Sequence, residues 1–174
     1  MAEGFTVEFD TREAERMLSS LLDRVNRPKR LMQAMSRYVN SVTFQMFSGR
    51  RADTSGKRGV KWPPLSQETI MAKRAALARG AAIEEDRPLV RTGKMRDSLK
   101  VLERADKGFV YGTRLRSKKG FSYPAIHNTG GSGSKPPQRP WLFLTPHDFA
   151  QMAKMTKDYL ENRLQGFTSY VGKG

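Results

Sequence analysis
The sequence predicts an α+β domain, with helices packed on a small, mainly antiparallel β-sheet and long basic loops around it. Three observations point there. Apolar residues recur at three- and four-residue spacing in several segments long enough for helices. Two short apolar segments flank Asp106-Lys107-Gly108, the pattern of a β-hairpin. Polar, Arg- and Lys-rich stretches separate these elements. The 174 residues suit one domain of ordinary size. That domain is expected over residues 1–165, with 166–174 as a flexible C-terminal tail.

Each element has its own signal. Phe5, Val7 and Phe9 alternate with Thr6 and Glu8, which predicts a short strand. Asp10 can cap a helix, with Glu13 as its capping-box partner. Ala14, Met17, Leu18, Leu21, Leu22 and Val25 give that helix an apolar stripe, and Asn26 ends it. Pro28 opens the next helix, whose stripe is Met32, Met35, Val39, Val42 and Met46, widened by Leu31 and Tyr38. Ser48-Gly49 is its expected stop. So short a connection predicts an antiparallel helix hairpin.

From Gly49 to Lys61 the chain is polar and is expected to be a mobile loop. Trp62 ends that loop, and Pro63-Pro64 stiffens the exit. Ser66 reads as the N-cap of a third helix, with Leu65 and Ile70 as a hydrophobic staple; it runs to about Arg79, and Gly80 is a fitting C′ residue. After an irregular connector, Thr92 is expected to cap one short turn through Ser98. Leu99–Glu103 and Phe109–Thr113 are the predicted hairpin strands. A basic loop covers 114–119, Tyr123–His127 suits one helical turn, and Gly130–Lys135 has the composition of a flexible linker. Pro136, Pro137 and Pro140 lead into Trp141–Leu144, read as a buried strand. Thr145, Pro146 and Asp148 start a final helix, with Phe149, Met152, Tyr159 and Leu160 as its buried stripe.

Composition narrows the function classes. The formal net charge is +15, far enough from zero to favour a polyanionic partner or an acidic protein surface. Hydrophobic residues make up 37%, which allows a core with polar loops around it. The absence of cysteine rules out disulfides and thiolate metal sites, and suits a reducing cytoplasm. Met1–Phe5 lacks the basic and apolar regions of a signal peptide. No apolar run approaches the roughly 20 residues that span a bilayer, so no membrane partner is expected.

Catalytic signatures are missing from the pattern. His127 and His147 are 20 residues apart, and there is no H-x-x-x-H or cysteine pair to make a metal site with either. There is no G-x-S-x-G elbow, and Glu84-Glu85-Asp86 reads as a solvated run. Gly130-Gly131-Ser132-Gly133-Ser134-Lys135 looks like a phosphate loop, but Pro136-Pro137 follows where a helix N-terminus would be needed. No catalytic residue, metal or cofactor is expected. Two basic clusters remain: Arg50, Arg51, Lys57, Arg58 and Lys61, then Arg114, Arg116, Lys118 and Lys119. Clustered cations without interleaved aromatics suit phosphate-backbone contact, or acidic protein neighbours, equally well. The aromatics beside prolines read first as packing anchors at loop entries.

Five ordered segments carry a resemblance. They are Trp62-Pro63-Pro64-Leu65-Ser66 with Thr69 and Lys73 after it, Leu89-Val90-Arg91-Thr92-Gly93-Lys94-Met95-Arg96-Asp97-Ser98, Tyr111-Gly112-Thr113, Tyr123-Pro124-Ala125-Ile126-His127-Asn128-Thr129-Gly130-Gly131 and Arg139-Pro140-Trp141-Leu142-Phe143-Leu144. Together they resemble the phage virion morphogenesis family, the tail completion proteins of Mu-like and P2-like tailed phages. Met95 stands where that family commonly has leucine, and Trp141 where it has phenylalanine. The resemblance implies a non-enzymatic virion protein that completes the tail and helps join it to the head. It implies a hexameric ring at the neck, contacts with connector and tail proteins, and proximity to DNA in the channel. Trp62, Thr92, Gly93, His127, Gly130, Gly131, Arg139 and Trp141 match the motifs and are expected to be fold or subunit-contact positions. A non-specific DNA-binding accessory protein is the alternative. A phage nuclease is a third reading, which the lack of clustered carboxylates or histidines disfavours.

Overall fold
The computed structural model describes residues 10–47, 62–81, 83, 88–89, 91–131 and 136–163. Among them are six helices and two strands. These are α1 (Arg12–Asn26), α2 (Lys29–Phe47), α3 (Gln67–Ala78), α4 (Lys94–Asp97), β1 (Lys100–Ala105), β2 (Gly108–Gly112), α5 (Tyr123–Thr129) and α6 (Pro146–Leu160). The strands pair antiparallel, with Lys100 opposite Gly112 and Ala105 opposite Gly108. A bulge between Val101 and Glu103 shifts the register, which bends and twists the ribbon. The fold is α+β, as the pattern predicts. The predicted Phe5–Phe9 strand and the Ser48-Gly49 stop lie outside the described residues.

Two clusters form the core. In the first, α2 and α6 bring together Leu31, Tyr38, Val42, Met155 and Tyr159. Here Asp148 is 1% exposed. Its Oδ1 accepts the Tyr38 hydroxyl at 2.8 Å, and its Oδ2 accepts the Thr145 amide and hydroxyl at 2.7 Å each. The Thr145 hydroxyl oxygen accepts the Asp148 amide in return, completing the predicted capping box. One carboxylate thus starts α6 and ties it to α2. The second cluster joins Met46 and Phe47 at the end of α2 to Trp62, Met95, Leu99 and Trp141. The Phe47 and Trp62 rings meet edge to face at 5.9 Å. The Tyr111 hydroxyl donates to Asn40 Oδ1 at 2.8 Å, fastening β2 to α2; burial pushes that phenol up to about 12.

Several expectations are corrected. Thr11, not Asp10, is the N-cap of α1, and makes no side-chain cap bond; Asp10 Oδ1 instead accepts the Arg12 amide at 3.0 Å. Gly93, not Thr92, caps α4, because the chain enters that turn at φ +71°, where a Cβ is disfavoured. Trp141–Leu144 is not a strand. The Trp141 and Leu142 amides both donate to Asn128 Oδ1 at 2.9 Å, so a side chain takes the place of a neighbouring strand. α1 and α2 do not pack as a hairpin; α1 touches α6 instead. The buried stripe of α6 is also shifted: Phe149 is 58% exposed, whereas Met155 is 0% exposed. Ser66 does cap α3, accepting the Thr69 amide, and Gly80 follows at φ +81°.

Candidate functional site
The motif segments converge on one place. Trp62 is buried, and its indole N–H donates to the Pro140 carbonyl at 2.9 Å. The Trp141 indole N–H donates to the Pro124 carbonyl at 2.8 Å. Arg139, only 6% exposed, donates from Nε to the Pro63 carbonyl at 3.1 Å and from Nη2 to the Pro64 carbonyl at 2.9 Å. Its amide donates to the His127 carbonyl at 2.7 Å. Pro63, Pro64 and Pro140 lie in backbone that is neither helix nor strand, so their carbonyls are free to accept, while Pro124 sits in the first turn of α5. The planar guanidinium and the two indoles supply donors in fixed directions, so three separate segments are locked to one another.

The same segments wall an open cavity of about 750 Å³. Pro64, Leu65, Ser66 and Thr69 form one side, with Ala72 and Lys73 from α3. Leu89, Arg91 and Met95 form the second side, and Tyr123, His127, Pro136, Pro137 and Arg139 the third. Leu89 holds φ +62°, a left-handed conformation that costs of order 1 kcal/mol for a side chain of this kind. The surface is mostly apolar, with basic groups and no carboxylate among the described lining residues.

His127 sits half-buried in this wall. Burial, and then the nearby Arg139 charge, hold its imidazolium form down, below the ordinary histidine range. Its Nδ1 is buried and makes no hydrogen bond. Burial also pushes Arg139 down and Tyr123 up. Among the described residues, no group of His, Asp and Glu is placed to hold a metal ion, and no helix is long and apolar enough to cross a membrane.

The remaining predicted positions divide by place. Gly93 is buried at the start of α4, next to exposed Thr92. Gly130, at φ +82°, lies close under Gln138, where a Cβ would meet Gln138 Cβ at 3.3 Å. The Gly131 amide donates to the Pro136 carbonyl at 3.3 Å. Arg114, Arg116, Lys118 and Lys119 are all exposed. Arg114 pairs with Glu103 at 3.3 Å, and Arg116 donates to the Gly120 carbonyl at 2.8 Å; this basic loop is a folded turn apart from the cavity lining. Arg50, Arg51, Lys57, Arg58 and Lys61 lie outside the described residues, as do 132–135 of the Gly-rich segment.

Sequence reasoning missed Lys73, buried on α3, and Asn128, which organises the turn into Trp141. Lys73 carried no signal beyond its place in a motif, while Asn128 sits inside the Tyr123–Gly131 segment and is readable there as a backbone mimic.

No curated protein and no solved structure matches the chain. The profile of the phage virion morphogenesis family matches residues 9–161 of the 174. That span includes both core clusters and every segment around the cavity, so the chain belongs to the phage virion morphogenesis family, which suggests a role in virion assembly.

Proposed function
We propose that this chain is a structural subunit that completes the tail and joins it to the head, forming part of the neck of a tailed phage as a hexameric ring of its own copies. The observation that carries the reading is the family match across 9–161. The braced, mostly apolar cavity gives such a subunit a place to receive part of a connector or tail protein. Many copies of a chain with net charge +15 would make a strongly positive ring, suited to acidic neighbours or to DNA in the channel. The protein works by contact, with no catalytic step, and passes from the host cytoplasm into the virion.

Disrupting the gene tests this directly. Electron microscopy of the lysate is expected to show DNA-filled heads and tails that remain separate, with infectivity lost. Intact, infectious particles lacking the protein would refute the reading.

The exposed Arg114, Arg116, Lys118 and Lys119 favour a second reading, a non-specific DNA-binding accessory protein. Its affinity for DNA should fall with salt, with a slope near −0.9 per phosphate contact. Lack of binding at about 50 mM salt would remove that reading.

A further inference from the structure
We propose that α1 is a self-docking helix, whose apolar stripe pairs antiparallel with α1 of a second copy of this chain. Met17, Leu18, Leu22 and Val25 are 63%, 60%, 61% and 54% exposed, and no residue of α1 is buried. A helix packed only against its own domain would turn such a stripe inward. Here the helix touches α6, Leu21 and Arg24 are partly covered, and the rest of the stripe faces solvent. Contiguous exposed apolar surface of this kind marks a contact surface.

The pattern of the stripe selects a second copy as the occupant. It reads the same from either end. Ala14 and Val25, Met17 and Leu22, and Leu18 and Leu21 are each equidistant from the midpoint between Ser19 and Ser20. An antiparallel pair about a two-fold axis at that midpoint therefore sets Leu18 level with the partner's Leu21, and Met17 level with the partner's Leu22. A two-fold interface uses one patch on both subunits and so requires this self-complementarity.

Charge points the same way. Within α1, Arg12, Arg16 and Arg24 balance Glu13, Glu15 and Asp23, so the helix is neutral in a chain of +15. Two copies meeting here avoid the repulsion expected between their basic surfaces. Asp10, Glu13 and Glu15 lie at the N-terminal end, while Arg24, Arg27, Lys29 and Arg30 lie at or just beyond the C-terminal end. Antiparallel pairing places the three carboxylates of each N-terminal end, which also holds Arg12 and Arg16, along the cations of the other's C-terminal end, which also holds Asp23. Arg24 Nη1 donates to Ser20 Oγ at 2.9 Å, but its buried Nε has no hydrogen-bond partner. In the pair, the partner's Glu13 comes within about 3 Å of Arg24 along the helix axis, on the same side of the interface.

The inference stands on α1 and is independent of where the protein sits in the virion. Sedimentation velocity on the full chain, from roughly 5 to roughly 200 µM, is the first test, since a small interface gives a weak dimer. A monomer–dimer equilibrium is expected. Leu18→Asp with Leu22→Asp should abolish the dimer without changing the circular dichroism, or the melting temperature at a concentration where the wild type is monomeric, because both side chains are exposed in the single chain. Cross-linking tests the direction, because the chain has no cysteine of its own. In the antiparallel pair, the two copies of residue 18 are about 4.5 Å apart along the axis and those of residue 25 about 16 Å apart. Leu18→Cys should therefore form a disulfide dimer on oxidation, and Val25→Cys should not. A wild-type protein that stays monomeric, a dimer that survives the double substitution, or equal cross-linking at both positions overturns the proposal. So does a monomeric full chain that dimerises only when cut after Arg163, because residues 164–174 would then be the occupant of the stripe.

Discussion

Replacing Asp148 with alanine should be among the most damaging single changes in the first core cluster, and its cost follows from the bonds it removes. The carboxylate is 1% exposed and accepts from the Thr145 amide and hydroxyl on one oxygen and from Tyr38 on the other. Loss of the carboxylate half of the capping box, with the Thr145 hydroxyl still accepting the residue-148 amide, costs about 1 kcal/mol. Removing a buried acceptor from the Tyr38 hydroxyl costs about 1–3 kcal/mol more. The sum, about 3 kcal/mol, corresponds to a fall of about 10 °C in melting temperature for a domain of this size. Urea unfolding followed by circular dichroism measures the free energy, with Tyr38→Phe and the double variant completing a cycle. Tyr38→Phe alone should cost about 1 kcal/mol, because it deletes a donor and leaves the capping box in place. Asp148→Ala already breaks the same bond. The double variant should therefore cost less than the two singles added, by about 1 kcal/mol. Strict additivity, or an Asp148→Ala cost below about 1 kcal/mol, would refute the view that one carboxylate couples α2 to the start of α6.

Three further outcomes are expected. Trp141→Phe removes the indole donor to the Pro124 carbonyl and part of a buried ring, and should cost about 2 kcal/mol in chemical unfolding. Gly93→Ala should destabilise more than Gly80→Ala; both glycines have φ above +70°, but only at Gly93 would a Cβ meet neighbours, Asp97 Oδ2 at 2.9 Å and Arg96 Nη2 at 3.0 Å. Because burial lowers the His127 pKa in the folded chain, the unfolded chain takes up the proton first as pH falls. The contribution of His127 is therefore fully favourable above the unfolded value near 6.5, and lessens as pH falls from there through the lowered folded value. Melting temperatures at pH 8 and pH 5 should fall less steeply for His127→Gln than for the wild type; an unchanged slope would show that His127 does not carry this dependence.

What could be read from the sequence was local. Ser66, and Thr145 with Pro146 and Asp148, start α3 and α6 as predicted, because a cap satisfies amides two or three residues away. The β-hairpin was legible for the same reason: its turn and both strands are contiguous. Where a long-range partner intervenes, local signals mislead. Trp141 and Leu142 have the composition of a strand, yet Asn128 claims both their amides. Periodicity said that α1 has an apolar face, but not what covers it, and most of that face is exposed.

The cavity illustrates the same limit more sharply. Its walls come from segments tens of residues apart, and Arg139 joins two of them by bonds to carbonyls 75 and 76 residues earlier in the chain. No spacing in the sequence encodes that pairing. What the sequence does encode is the means: Pro63, Pro64 and Pro140, which stay out of helices and ladders, and Trp and Arg that supply rigid donors beside them. Each such residue reads alone as a packing anchor. Their bonds to one another explain why the order of the motifs along the chain need not match their neighbourhood in space. A rigid frame assembled from distant segments keeps its geometry only when all are present. This frame is therefore a better candidate for holding a partner's segment in register than the separate basic turn at 114–119, whose cations are exposed and whose bonds to Glu103 and Gly120 are local.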